Sequence, residues 1–212
     1  TVNGFNVESG AHVEVKSGRF GIGGSTSSYD QRILGTVDHR DGAIGDSMDI
    51  YSGGVINSYA GTIENRGTVH HGGVLNIRGS SVGREWMVES GGKINLEAGV
   101  LGPSADVNQG GALKVTGGSV ENDLDIYGTA LLDRGTLGSS ADVFSGGQLS
   151  VKGGTVGRGL NGRAGSEIHL YGAEFQIDDQ LISGLNADGD AVTVNVPTNS
   201  LLSGVLADGS PI

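Results

Sequence analysis

The chain has 212 residues, 41 of them glycine and 3 proline, with no cysteine and a formal net charge of −11. The glycines lack the every-third spacing and the proline content of collagen, and the missing cysteine removes disulfides, zinc–thiolate sites and thiol nucleophiles. The acidic balance argues against nucleic acid and anionic lipid as partners, and no apolar run approaches the roughly 20 residues of a membrane-inserted helix.

Taken from the N-terminus, one phrase recurs: "ADVNQGGALKVTGGSVE" at 105–121 and "ADVFSGGQLSVKGGTVG" at 141–157. With the second glycine of the pair as a register mark, equivalent positions fall at Ala11, Gly35, Gly54, Gly73, Gly92, Gly111, Gly128, Gly147 and Ser166. The spacings are 24, 19, 19, 19, 19, 17, 19 and 19 residues. Five residues are inserted within 23–30, and two are missing where "IYG" (126–128) replaces "VFSGG".

Apolar residues align on this register. Two past the mark stand Val13, Val37, Ile56, Leu75, Ile94, Leu113, Ala130, Leu149 and Ile168. Four past it come Val15, His39, Ser58, Ile77, Leu96, Val115, Leu132, Val151 and Leu170. Nine past it the column runs from Phe20 through Ile63 and Val120 to Phe175. Ahead of the mark run Val7, Ile50, Val69, Val88, Val107, Ile126 and Val143, a column broken by Gln31 and Gly162.

A spacing of two is the period of a strand, and a repeat of about 19 residues cannot bury its own apolar side, so neighbours must stack. The predicted fold is all-β: a single-stranded right-handed parallel β-helix (β-solenoid) of about nine coils, with glycine pairs at the corners. Residues 1–176 read as β-helix repeats. Residues 177–212 read as terminal strands or a cap of the same domain, needed because a last coil exposes an unpaired edge. The start at Thr1 and the end at Pro211–Ile212 suggest a segment of a longer chain.

The pattern of 145–157, "SGGQLSVKGGTVG", and the ending "LLSGVLADGSP" (201–211) resemble the glycine-rich β-helical regions of secreted bacterial surface proteins, including autotransporter passengers and planctomycete extracellular proteins. The resemblance spans about residues 6–212. It implies a secreted or cell-surface protein with a structural or adhesive role, and an extracellular polysaccharide or a neighbouring surface protein as partner. The alternative is a piece of a phage tail spike on a virion tail, or of a polysaccharide-degrading β-helix.

Several residues are candidates for chemistry. Asn57, Asn76 and Asn95 stand three past the mark in consecutive coils, with Tyr59 and Arg78 two residues further on. This strip fits either a stacked amide ladder or a weak site for extended glycans. Asp30, Asp49, Asp106, Asp125 and Asp142 form a second column, expected to cap corner N–H groups rather than to hold a metal. Asn186, Asp188 and Asp190 alternate around a glycine as in calcium loops, so Ca2+ is the one candidate ion, against an ordinary Asp-Gly turn. Adjacent His70 and His71 read as solvated corner residues, and Trp86 as a contact residue or an edge filler. Minimal coils leave little room for the loops that build a cleft, so the expectation is no enzyme activity.

Overall fold

The structure is a computed structural model that describes residues 5–21, 31–183 and 200–212. It is an all-β parallel solenoid of repeating strands, consistent with a right-handed β-helix. Three parallel ladders run along the stacked coils. The main ladder has nine rungs in unbroken order, from His12–Val15 through Thr36–His39 and Val55–Ser58 to Gln148–Val151 and Glu167–Leu170. A second ladder of short strands includes Arg19–Phe20, Ala43–Ile44, Thr62–Ile63, Ser119–Val120, Thr136–Leu137 and Thr155–Val156. In two central coils the strands Val74–Val82 and Lys93–Leu101 are long enough to run through the bend and serve both ladders. The third ladder runs from Gln31–Ile33 and Met48–Ile50 to Asp142–Val143 and Asn161–Gly162.

Pairing confirms the column two past the mark at every step: Val13 with Val37, Val37 with Ile56, and onward to Leu149 with Ile168. Its inner members are buried, whereas Val13 and Ile168 at the two ends are half-buried because they have a neighbour on one side only. The column four past the mark is buried from Val15 to Val151 and includes His39 and Ser58. These two polar side chains hydrogen-bond each other, His39 Nδ1 lying 2.8 Å from Ser58 Oγ, while His39 Nε2 has no partner among the described residues, and burial pushes the His39 pKa down.

Gln31 does not interrupt the third apolar column. Ile33, two residues later, pairs with both Val7 and Ile50 and restores it. The corner Ile33–Leu34–Gly35 is therefore as short as the one at Ile126–Tyr127–Gly128, a contraction that the nearby insertion hides in the sequence. The column nine past the mark also ends sooner than expected. Val156 is its last rung in the parallel ladder, and Phe175 lies in Gly172–Ile177, which pairs antiparallel with Gln180–Leu181 and Leu202–Leu206. Phe175 and Leu206 are buried in the same core as the coils, so this three-stranded sheet closes it.

The two glycines of a pair serve different needs. Gly91 has φ 78°, and its N–H reaches the carbonyl of Gly110 in the next coil at 2.8 Å. Gly92 has ordinary φ, but a Cβ there would collide with the carbonyl oxygen of Val69 in the coil before. Another corner uses no glycine for most of its length. Ser47, Arg66, Glu85, Ser104, Asp123 and Ser140 all hold φ between 58° and 61°. In each case the turned N–H donates forward to the following coil, as Arg66 does to Arg84 at 2.9 Å and Asp123 to Ser139 at 3.0 Å. A left-handed non-glycine residue costs roughly 1–2 kcal/mol, and a hydrogen bond of about 1 kcal/mol offsets much of that.

Candidate functional site

The outward face of the main ladder carries the five strip residues. Register alignment brings Asp38, Asn57, Asn76, Asn95 and Lys114 side by side on successive coils, about 4.8 Å apart. An amide has donors on one side and an acceptor on the other, so such a row can zip along its length. It does so here: Asn57 Nδ2 donates to Asp38 Oδ1, Asn76 Nδ2 to Asn57 Oδ1 and Asn95 Nδ2 to Asn76 Oδ1, each at 2.9 Å. Asp38 only accepts, and it sets the direction of the row. The Asn57 hydrogen bond holds its pKa below the usual carboxylate range against the opposing effect of burial, with His12 and Arg40 adding to the same side.

Tyr59 and Arg78 join this row. Arg78 Nη1 donates to Tyr59 Oη at 3.2 Å and to Asn57 Oδ1 at 3.3 Å, and its Nε sits 3.3 Å from Glu97. The Tyr59 hydrogen bond comes first in raising the Arg78 pKa, burial opposes it, and Glu97 adds. Arg40 lies over the Tyr59 ring, 4.3 Å from its centre. The five residues form one connected strip, held flat by contacts among themselves.

Beyond Asn95 the same face dips into a shallow groove lined by Lys93, Lys114, Leu131, Gln148, Lys152 and Tyr171, among others. Reading column by column misses it. Lys93, Lys114 and Lys152 stand one, three and five past the mark in different coils, and only a diagonal reading brings them together.

The third ladder shows an acidic outer face. Asp106, Asp125 and Asp142 stack in direct register. With Arg66, Glu85, Met87, Ser104 and Asp123, the first two line a concavity of about 480 Å³. Burial raises the Asp106 pKa. Burial, then the charges of Asp106 and Asp142, raises that of Asp125. A hydrogen bond from Arg163 lowers that of Asp142. Among the described residues this column does not cap corners as expected: Asp49 bonds His70, and Asp142 bonds Arg163. The caps fall elsewhere, on Asp46, Asn65 and Asn122, whose Oδ1 atoms accept from the N–H groups of Asn65, Arg84 and Ser139 in the next coil. Pro103, which follows in that corner above Arg84, has no N–H to offer and needs no cap.

His70 is half-buried, not freely solvated. It bridges Asp49 at 3.0 Å and Glu89 at 2.7 Å and stacks on Tyr51 with ring centres 4.4 Å apart. His71 is exposed. Trp86 is fully buried over Gly67, its Nε1 donating to the Glu64 carbonyl at 3.0 Å, so it is core and not a contact residue. Asp30 and the candidate calcium residues Asn186, Asp188 and Asp190 lie outside the described residues. Among the described residues, no group of three or more His, Asp or Glu side chains is arranged to hold a metal ion. None of the helix type or length that crosses a membrane occurs among them.

No protein-family model and no curated protein matches the chain. Among solved structures it is similar to a crystal structure of a TibC-catalyzed hyper-glycosylated TibA fragment (55–350). The identity is 16%, over 77% of this chain and 76% of that one, with a TM-score of 0.32. An overlap of that size adds nothing to the fold that the ladders define.

Proposed function

We propose that the chain is a non-catalytic structural rod segment of an extracellular protein, whose outer face makes weak contacts with extended glycans. The observation that carries this reading is the nine-rung main ladder: one unbroken apolar stack inside and, from Asp38 to Lys114, one straight polar strip outside. Such a strip offers amide, guanidinium and phenol groups in a plane along the rod, which suits a linear polymer better than a small molecule held in a pocket. Catalysis needs groups that converge on a reacting atom from several directions. The strip residues point the same way and are engaged with one another. The extracellular setting follows the resemblance of the repeats to secreted surface proteins.

Incubation with a panel of neutral and acidic polysaccharides tests this. The expected outcome is no new reducing ends or unsaturated products, together with weak retention of neutral glycans that Tyr59→Ala and Asn76→Ala reduce. Turnover abolished by changing a single carboxylate would replace this reading with a polysaccharide-degrading enzyme.

A further inference from the structure

We infer that the groove formed by Lys93, Lys114 and Lys152 is a binding site for a linear anionic polysaccharide, one with carboxylates on successive sugars. The inference rests on the reading of the outer face as a polymer surface, but it uses different residues and a different ligand chemistry.

The first argument is charge placement. The chain carries a net charge of −11 and only four lysines, at 16, 93, 114 and 152, and three of them line this one groove. Most of the other cations are paired: Arg19 with Glu64, Arg40 with Glu14, Arg66 with Asp46, Arg78 with Glu97, Arg84 with Glu85, Arg163 with Asp142, and Lys16 with Glu14. Arg32, Arg134 and Arg158, with no ion pair among the described residues, stand apart from one another and from the groove. Lys93, Lys114 and Lys152 are exposed and have no carboxylate partner among the described residues, and no Asp or Glu lines the groove. Of the acids at its edge, Glu167 is engaged by Gln148 and His169, Asp208 is engaged by Ser210 and the Gly154 N–H, and Asp133, one coil before Lys152, makes no ion pair with it. Concentrating unneutralised cations on an acidic protein costs repulsion that an anionic ligand would relieve.

Shape supplies the second argument. From Lys93 to Lys152 the path climbs three coils and shifts four residues across the strands, roughly 20 Å in all at ~4.8 Å per coil and ~3.3 Å per residue. Small side chains, Ala112, Thr129 and Ser150, keep the path open, and outward-facing Leu131 gives it an apolar floor. Asn95 ends the amide row at one side. Tyr171, 46% exposed, stands at the other, with Lys152 Nζ 5.3 Å from its ring centre. Sugar faces pack on Leu131 and Tyr171, and carboxylates meet the ammonium groups. The main ladder fixes these residues to strands, so little order is lost on binding.

Affinity electrophoresis through polygalacturonate, beside its fully methyl-esterified form and poly(dT), tests the site. Polygalacturonate is expected to retard the protein, less so as salt rises from about 50 to about 300 mM, and the methyl ester not to retard it. Each of Lys93→Gln, Lys114→Gln and Lys152→Gln should weaken binding about two- to fivefold, the range of one exposed ion pair. The triple variant should lose retardation at unchanged thermal stability, while Lys16→Gln, outside the groove, behaves as the parent. No retardation by polygalacturonate, or retardation that survives the triple change, overturns the proposal. Equal retardation by the methyl ester or by poly(dT) overturns it too, in favour of a neutral-glycan or nucleic-acid surface. Neutral-glycan binding that depends on Tyr59 and Asn76, together with no retardation by polygalacturonate, would sink this site and leave the proposed function standing.

Discussion

At the scale of single residues, His70 and Asp125 each make stability depend on pH. Burial alone would lower the His70 pKa, but the hydrogen bonds and charges of Asp49 and Glu89 outweigh it and raise the value. A histidine raised above its unfolded value of about 6.5 contributes fully below that pH and loses the contribution as pH climbs through the folded value. His70 should therefore lower the melting temperature as pH climbs above about 6.5, while His39, whose pKa burial lowers, acts in the opposite sense as pH climbs toward that value. His70→Gln should remove the falling part of the slope. An unchanged slope in the variant would remove His70 from the account. Asp125 acts with the same sign for another reason. Its raised pKa comes from burial and from like charges above and below, so its ionised form destabilises the fold once pH exceeds the unfolded value of about 3.9. Asp125→Asn should raise the melting temperature at neutral pH and give no gain below about pH 3.5. An equal gain at both would mean the effect is not electrostatic.

Coils are the elements of this molecule, and their size is set at the corners. The two short corners, Ile33–Gly35 and Ile126–Gly128, are followed by Val37 and Ala130 in a column that otherwise holds Ile or Leu between its ends. A corner two residues shorter draws the coil inward, and a smaller side chain fills what remains. Ala130→Leu, although it restores the usual residue of the column, should destabilise by about 1–3 kcal/mol through overpacking. A gain in stability on chemical denaturation would show that a void existed there. The periodicity of apolar residues made the coils, their register and most of the core legible from the sequence, because every rung repeats the same inward pattern. The short corner at Gly35 was hidden, since an insertion just before it masks the missing residues. The left-handed corner was hidden as well. Ser, Arg, Glu and Asp carry no common mark of positive φ, and what holds them there is a hydrogen bond to a carbonyl of the next coil, 16 or 18 residues away. For the candidate site, the amide row was legible because it lies in one column. The lysine groove was not, because it cuts across three.

The whole molecule behaves as a stack in which each coil touches its neighbours, so stability should grade along the axis. Val13 at one end and Ile168 and Leu170 at the other are half-buried, whereas Leu75, Ile94 and Leu96 between them are fully buried. Native-state hydrogen exchange should be slowest in Val74–Val82 and Lys93–Leu101 and fastest in His12–Val15 and Glu167–Leu170, and uniform protection would contradict a graded stack. The same stacking gives the two outer rows opposite arithmetic. Every asparagine added to the amide row brings a donor for the rung before it and an acceptor for the rung after it, so that row gains with each duplication of a coil and has no natural end. Every aspartate added beside Asp106, Asp125 and Asp142 brings one more like charge about 4.8 Å from the last. That row stops where Met87 on one side and Asn161 on the other interrupt it. Lineages that lengthen such a rod by copying coils can copy the asparagine face freely, while the aspartate face has to change its residues as it grows.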